Sequence, residues 1–435
     1  MKPVHQSSST SSTTPAEWWT AFNAPELDHL VDEALANNRT LAQADANLEA
    51  ARASASAARG GALPQLSGQA GAVRERINTQ AFGFTGFPSP TLSLYSVGAS
   101  VNFDLDLFGA QRRTIERQDA RVAAQQARVD AAYLTLSGNV VREAVLVAGL
   151  RAKIAAQDEI IAADQHILDM VRRAIEVGGQ PPAAATTIEA QLAEDESAGP
   201  ALRQQLAEAR HRLALYAGQA PGAWTAPNLD LAHFTVPDNI PVFLPSDFVR
   251  RRPDILAAEA DLHAAIANIG IETAALYPNI NIGASLLQST IDPASLFEGS
   301  SSGWTAGPSL AAPIFHGGEI RARVRGANAA ARASLAAYEE TVLEAFVQVA
   351  DVIQAVGNDQ EAIAIQQRAL DAANTNVRNA QLAYDNGAGA LLSVVDAQRQ
   401  ANRARLASID VQVRLNQDVA ALFVAAAADW RKPDK

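Results

Sequence analysis

The chain has no cysteine in its 435 residues, which excludes disulfides and thiolate metal sites. Aromatic residues make up only 6%, and Met1 and Met170 are its two methionines. So few large side chains, with alanine abundant throughout, point to extended helices packed through small residues rather than a compact core. Two methionines also supply no thioether relay for soft metal ions. No apolar run reaches the roughly 18–20 residues of a membrane-crossing helix, residues 419–428 coming nearest. Helical spans are excluded, but β-barrel insertion stays open, because barrel strands give a much weaker signal per segment.

Positive charge is in deficit, with 35 Lys and Arg against 47 Asp and Glu and a net charge of −12. No basic stripe interleaves with aromatics, so nucleic acid is not an expected partner. The chain lacks GxxxxGK[ST], a nucleophile elbow and HExxH, and its seven histidines show no ligand spacing. The expectation is a protein without enzymatic activity, cofactor or metal. Residues 1–15 are rich in Ser and Thr and have no apolar stretch of the signal-peptide kind. Residues 1–25 read as an extended N-terminal tail and 431–435 as a C-terminal one.

What is there is a duplication. Leu63-Pro64-Gln65-Leu66 answers Tyr277-Pro278-Asn279-Ile280 at an offset of 214 (278 − 64), and Asn38-Arg39-Thr40-Leu41 answers Arg252-Pro253-Asp254-Ile255 equally (253 − 39). Leu107-Phe108-Gly109 aligns with Phe315-His316-Gly317 at 208 (317 − 109), and Gly178 with Gly387 at 209 (387 − 178). Such a long period marks a duplicated half rather than a solenoid unit.

Each half has the same order of elements. The first, residues 26–217, opens with a helix over 27–59 whose apolar positions recur at three and four. Strands are expected at about 66–77 and 92–103, and helices at about 109–176 and 183–217. The second half, residues 249–430, has strands at about 280–290 and 303–312, then helices at about 317–385 and 391–429. Alternation carries the strands: Tyr95, Val97, Ala99, Val101 and Phe103 on one face, Ser96, Gly98, Ser100 and Asn102 on the other. Pro308 is awkward inside the fourth strand, since it cannot donate to a ladder. Residues 109–176 and 317–385 lack proline entirely. Each would reach about 100 Å as a helix, a length that survives in water only with one side buried along most of it. Glycine ends both helices, at Gly178-Gly179 and at Gly387 and Gly389. Residues 218–248 form a Pro-rich linker between the halves.

Two amphipathic strands per half, each about 10–12 residues, have the length that crosses a bilayer when tilted. Four strands cannot close a barrel, and open edges are not viable in lipid. Several chains must therefore pool their strands: two give eight and a filled interior, three give twelve and a lumen. The fold class expected is an α+β membrane channel.

Several runs carry a family resemblance. They are Leu244-Pro245-Ser246-Asp247-Phe248-Val249-Arg250-Arg251-Arg252-Pro253-Asp254-Ile255, Ala267-Asn268-Ile269-Gly270, Phe103-Asp104-Leu105-Asp106-Leu107-Phe108-Gly109 and Val395-Asp396-Ala397-Gln398-Arg399, with Trp18-Trp19 and Phe22. Over about residues 18–430 the chain resembles the outer-membrane efflux proteins of the TolC/OprM (NodT) type. The resemblance implies a homotrimer with a twelve-stranded barrel in outer-membrane lipid and an α-helical barrel crossing the bacterial periplasm. It also implies a periplasmic adaptor and an inner-membrane pump of RND type, with drugs and other toxic compounds as cargo. OprM-type relatives usually carry an acylated Cys at the mature N terminus and often a carboxylate just past the second reversal. This chain has no Cys, and Ala388-Gly389-Ala390 at the second place.

The tip residues Gly178, Gly179, Asp385, Asn386, Gly387 and Gly389 are the candidate periplasmic gate. Three copies of Asp385 around an axis would concentrate negative charge in a narrow mouth, whereas the bland alternative is an ordinary Asn/Gly helix cap. Asp104 and Asp106 suggest a catalytic carboxylate pair less than a cap, Asp106 standing where strand gives way to helix. Asp106, Gly109, Gly317, Pro64 and Pro278 are read as structural residues of the strand–helix junctions. Acidic walls would favour cations. Rival readings are an outlet for type I protein secretion and, from another class, a soluble periplasmic helical scaffold.

Overall fold

The computed structural model describes residues 17–83, 85–236 and 251–426. Among them lie seven α-helices: α1 Pro25–Asn37, α2 Arg39–Gly61, α3 Ala110–Glu176, α4 Pro182–Tyr216, α5 Pro253–Ala274, α6 Glu319–Asp385 and α7 Leu391–Ala426. Four strands, β1 Gln65–Arg76, β2 Thr91–Leu105, β3 Asn279–Thr290 and β4 Ser302–Ala311, complete the order. Both α3 and α6 run for 67 residues. The expected tail 431–435, residues 427–430 of the last helix and residues 237–250 of the linker and Arg-Arg-Arg run lie outside the described residues.

The expected single helix over 27–59 is two. Asn38 takes an extended backbone between α1 and α2. Its Oδ1 accepts from the backbone N–H of Thr40 and Leu41 at 2.9 and 3.2 Å, capping α2 as Asn does at helix starts. Its Nδ2 donates to the Tyr216 carbonyl at 3.0 Å, so the break faces the end of α4. Hydrophobic spacing runs through a cap that keeps phase, which is why periodicity alone misses this corner.

The N-terminal segment also departs from an extended tail. Residues Trp18–Phe22 form a 3-10 turn with Trp18, Trp19 and Phe22 buried. Trp18 stacks on Phe423 at 5.5 Å and donates through Nε1 to Ser137 Oγ at 3.3 Å. Phe22 meets Phe423 and Phe234 edge-on. This aromatic cluster fastens residues 18–22 to α3 and α7.

Cα proximity divides the chain into two compact units. One comprises the described parts of Met1–Ala46, Ala127–Leu256 and Glu340–Lys435, and holds this aromatic cluster and both helical reversals. Its core is valine- and alanine-rich, with Val129, Val140, Val141, Val145 and Val147 of α3 buried. The other, Asn47–Gln126 and Ala257–Glu339, holds the sheet.

That sheet is antiparallel in the order β1-β2-β3-β4. Gln65 pairs with Asn102, Leu105 with Ile280 and Asn279 with Ala311. Residues paired across strands share a face. One face therefore carries Leu66, Ala70, Val97, Val101, Phe103, Ile280, Ile282, Leu286, Trp304 and Leu310, with Arg74, Arg76 and Gln288 toward the hairpin ends, and the other Ser67, Gln69, Ser100, Asn102, Asn281, Ser285, Thr305 and Ser309, with Val73, Leu92, Leu94 and Leu287 toward those ends. Strand β2 runs on to Leu105 because Phe103, Asp104 and Leu105 pair with β3 of the other half, a partner that alternation within one half does not reveal. Pro308 does sit in β4, opposite Ile282, on an outer strand of the chain's own sheet.

The backbone also refines the repeat. From α3 to α6 the starts differ by 209 (319 − 110), as do the ends (385 − 176). Gly109 therefore corresponds to Gly318 rather than to Gly317. Both have left-handed φ, 82° and 86°, and both carbonyls accept the first turn's N–H, from Arg113 and from Ala322. Two adjacent glycines made the alignment at 208 look as good by sequence.

Candidate functional site

The strand–helix junctions are built on caps. Asp106 lies one residue past β2, and its two carboxylate oxygens accept from the backbone N–H of Gln111 and Arg112, both at 2.9 Å. Burial pushes this carboxyl up, but the two N–H groups and the Arg112 guanidinium outweigh it and hold it below the usual carboxylate range. Asp104 takes no part in the cap. It stays on the polar face of the sheet and accepts from Asn281 Nδ2 at 2.7 Å. Pro64 and Pro278 immediately precede β1 and β3, fixing the chain where helix gives way to strand. Phe108 stacks on Tyr277 at 4.7 Å, 10° from parallel. This pair borders a groove of about 640 Å3 that also takes in Asp106, His316 and Arg323.

Below the caps, α3 meets α5 through polar contacts made by the Ala267-Asn268-Ile269-Gly270 run. Arg117 donates to Asn268 Oδ1 at 2.9 Å. Arg113 lies over Gly270, where a Cβ would come within 2.8 Å of its Cγ. His263 and Arg113 both engage Glu116, at 2.9 and 2.5 Å.

In the other unit, the two reversals share one geometry. Gly178 and Gly387 have φ of 75° and 70°. The N–H of Gly179 reaches the Ala174 carbonyl and that of Gly178 reaches Ile175; likewise Ala388 reaches Ala383 and Gly387 reaches Tyr384. These are the two bonds of a Schellman C-cap. Gly389 lies against the end of α6, where a Cβ would stand 3.0 Å from that of Ala383. Asp385 and Asn386 are exposed. Asp385 accepts from Gln381 Nε2 at 2.9 Å, and Asn386 Nδ2 donates to the Leu382 carbonyl at 2.7 Å. A small apolar core gathers both reversals: Ile167, Leu168 and Val171 of α3, Ile188 of α4, Leu391 and Val395 of α7, with Tyr384 of α6 packed on it.

Ion pairs clasp the same helices. Arg172 of α3 meets Glu189 of α4 at 2.8 Å, and Arg405 of α7 meets Glu159 of α3 at 2.5 Å. Sequence reasoning missed two carboxyl pairs among these helices. Asp164 of α3 is buried beside Asp195 of α4. Burial and the Asp195 carboxyl raise it to about 7, with Arg399 of α7 pulling the other way. Asp418 of α7 is raised likewise, by burial and by Asp359 of α6. A carboxylate four turns from a reversal on an alanine-rich helix leaves no local trace of its burial.

Comparison with known proteins adds the following. The model of the family described as "Outer membrane efflux protein" matches residues 30–219 and 244–428. The cation efflux system protein CusC of Escherichia coli O6:H1 is 28% identical over 420 residues, covering 96% of this chain and 89% of CusC. Outer membrane protein OprJ of Pseudomonas aeruginosa is 30% identical over 423 residues, covering 95% and 86%. Among solved structures, the outer-membrane channel OprN superposes with a TM-score of 0.89 at 28% identity, covering 97% of this chain and 94% of OprN. The open-state MtrE outer membrane channel of Neisseria gonorrhoeae gives 0.83 at 27% identity, covering 98% and 95%.

Proposed function

Because the chain belongs to the outer membrane efflux proteins, channels of tripartite efflux systems, we propose that three copies pool their sheets into a twelve-stranded barrel and conduct small molecules passively outward. The observation that carries this reading is the sheet itself, with one apolar face, one polar face and two exposed outer strands. A lipid-facing sheet needs every backbone group paired, and a closed barrel is the arrangement that achieves it. Twelve strands leave a lumen, which the polar face lines. Phe108 and Tyr277 suit the headgroup level at the periplasmic rim, where such barrels concentrate aromatics.

The two capped reversals are the periplasmic mouth. An adaptor docks there, and an inner-membrane pump of RND type supplies the energy. Opening is a rearrangement of the helices that end at Gly178 and Gly387, which a shared apolar core and a few exposed ion pairs hold only weakly. Asp385 contributes the ring of negative charge at that mouth, and the conducted species are drugs or other toxic small molecules. CusC and OprJ are efflux or outer-membrane proteins by name, and efflux is favoured here over type I protein secretion.

Deleting the gene and scoring drug sensitivity against loss of a secreted protein separates the two. Heightened drug sensitivity with normal secretion supports efflux; the reverse pattern overturns it. Planar-bilayer recordings of the purified protein test conduction directly, and a firm preference for anions would contradict an acidic mouth.

A further inference from the structure

The sheet ends on both sides at an exposed strand, β1 and β4, and the internal repeat dictates how those two edges meet. We propose that β4 of one protomer pairs with β1 of the next in one specific register, with Trp304 opposite Arg76 of the partner subunit and Ala311 opposite Gln69 of the partner subunit. The proposal rests on the trimeric barrel argued above and adds which residues form its seam.

Strand β1 maps onto β3 at an offset of 214 at both ends (279 − 65 and 290 − 76). The pair Gln65 with Asn102 then maps onto Asn279 with Ala311, which sets β2 on β4 at 209 (311 − 102). The offset of 209 recurs at the starts and ends of α3 and α6, so the two hairpins are copies in register. One contact joins the copies within the chain: β2 against β3, from Leu105 with Ile280 to Tyr95 with Thr290. A barrel made of repeated hairpins must repeat that contact between chains. Moving Tyr95 forward by 209 gives Trp304, and moving Thr290 back by 214 gives position 76. Residues 304–311 thus face residues 69–76 of the next chain.

Strand direction and side-chain phase are both compatible with this register. An even number of strands leaves β4 antiparallel to the incoming β1, as every other neighbour is. The side-chain alternation also stays in phase. Trp304 and Leu310, on the apolar face, meet Arg76 of the partner subunit and Ala70 of the partner subunit. Thr305 and Ser309, on the polar face, meet Glu75 of the partner subunit and Gly71 of the partner subunit. A slip by one residue would turn the incoming strand's apolar side into the lumen. At the outer end the guanidinium of Arg76 of the partner subunit lies beside the Trp304 indole, a cation–π pairing.

The cysteine-free chain allows a direct test. Cysteines at directly opposed antiparallel positions have Cα atoms about 4.5–5.5 Å apart, within disulfide reach, whereas diagonal neighbours lie about 7–8 Å apart. The double variants Thr305→Cys/Glu75→Cys and Ser309→Cys/Gly71→Cys are oxidised in outer-membrane preparations and run without reductant. Both should give covalent dimers and trimers, at least tenfold faster than Ser309→Cys/Val73→Cys or Ser309→Cys/Gln69→Cys. Ser96→Cys/Ser289→Cys, opposed within the chain, reports that oxidation works and that the sheet has formed. Linking by a shifted pair as fast as by the opposed pairs overturns the register. So does absence of any intermolecular link while the Ser96/Ser289 reference closes. A monomer by light scattering in detergent would instead remove the trimeric reading beneath it.

Discussion

Gly149 of α3 stands where Val413 of α7 needs room: a Cβ on Gly149 would come within 2.2 Å of Val413 Cγ2. Eleven residues earlier on α3, Gly138 does the same for Val424, eleven residues later on α7, at 2.4 Å. The two notches lie three turns apart on antiparallel helices and let the backbones approach closely. Valine is stiff about χ1, so a methyl added at either glycine must push the helices apart. Gly149→Ala and Gly138→Ala should each destabilise the protein by about 1–3 kcal/mol, despite alanine's better helix propensity. Thermal melting in detergent checks this. Gly357→Ala, at a mid-helix glycine of α6 where a Cβ meets nothing, should be neutral or mildly stabilising.

Arg252 ties three helices at one point. Its guanidinium meets Asp254 at 2.5 Å at the start of α5, donates to Gln348 Oε1 of α6 at 2.8 Å, and reaches the Ala425 carbonyl near the end of α7 at 3.1 Å. Arg252 is buried, so its guanidinium depends on these partners rather than on water. Lysine keeps the charge but not the planar fork. Arg252→Lys should lower stability by about 2–4 kcal/mol, measured by thermal melting, because hydrogen bonds to buried charged groups are costly to lose.

These two cases mark where the sequence is readable. Period-two and period-3.6 patterns locate the strands and long helices, and the duplication shows that the two halves share one order of elements. Pro253 and Asp254 suit the first turn of α5, a local signal. What Arg252 reaches at Ala425, 173 residues away, has no local signature. Asn38 is the converse. Its equivalence to Arg252 at 214 (252 − 38) put a helix start in the first half too, but uninterrupted apolar spacing masked it. The N-terminal tryptophans lacked periodicity, and only burial beneath Phe423 gives them a role.

Asp164 makes stability depend on pH in an unusual direction. Its carboxyl is raised to about 7 by burial and by Asp195, so the folded state holds a proton that the unfolded chain releases near the ordinary aspartate value of about 4. A raised folded-state value means the stabilisation is complete below about pH 4 and is lost as pH climbs through about 7. Above that, two carboxylates between α3 and α4 repel. Asp164→Asn removes the titration while keeping size and polarity. It should melt like the parent at about pH 3 and be more stable by at least about 1 kcal/mol at pH 8, one pKa unit being worth about 1.4 kcal/mol. Equal melting at both pH values would dismiss the buried pair.

If the reversals form the periplasmic mouth, as proposed, Gly178 and Gly387 separate the stability of the caps from the working of that mouth. At φ of 75° and 70°, alanine is strained by about 1 kcal/mol per site, with open space around each Cβ. Gly387→Ala should therefore cost little in melting temperature. A mouth that opens by moving the ends of α6 and α7 would nevertheless respond, because the strained cap loosens the end of α6 just after Asp385. Single-channel recordings of Gly387→Ala should show longer or more frequent openings than the parent. Gly387→Asn, whose side chain tolerates the left-handed region, should restore parental gating. If both variants conducted like the parent, the second reversal would be a cap alone.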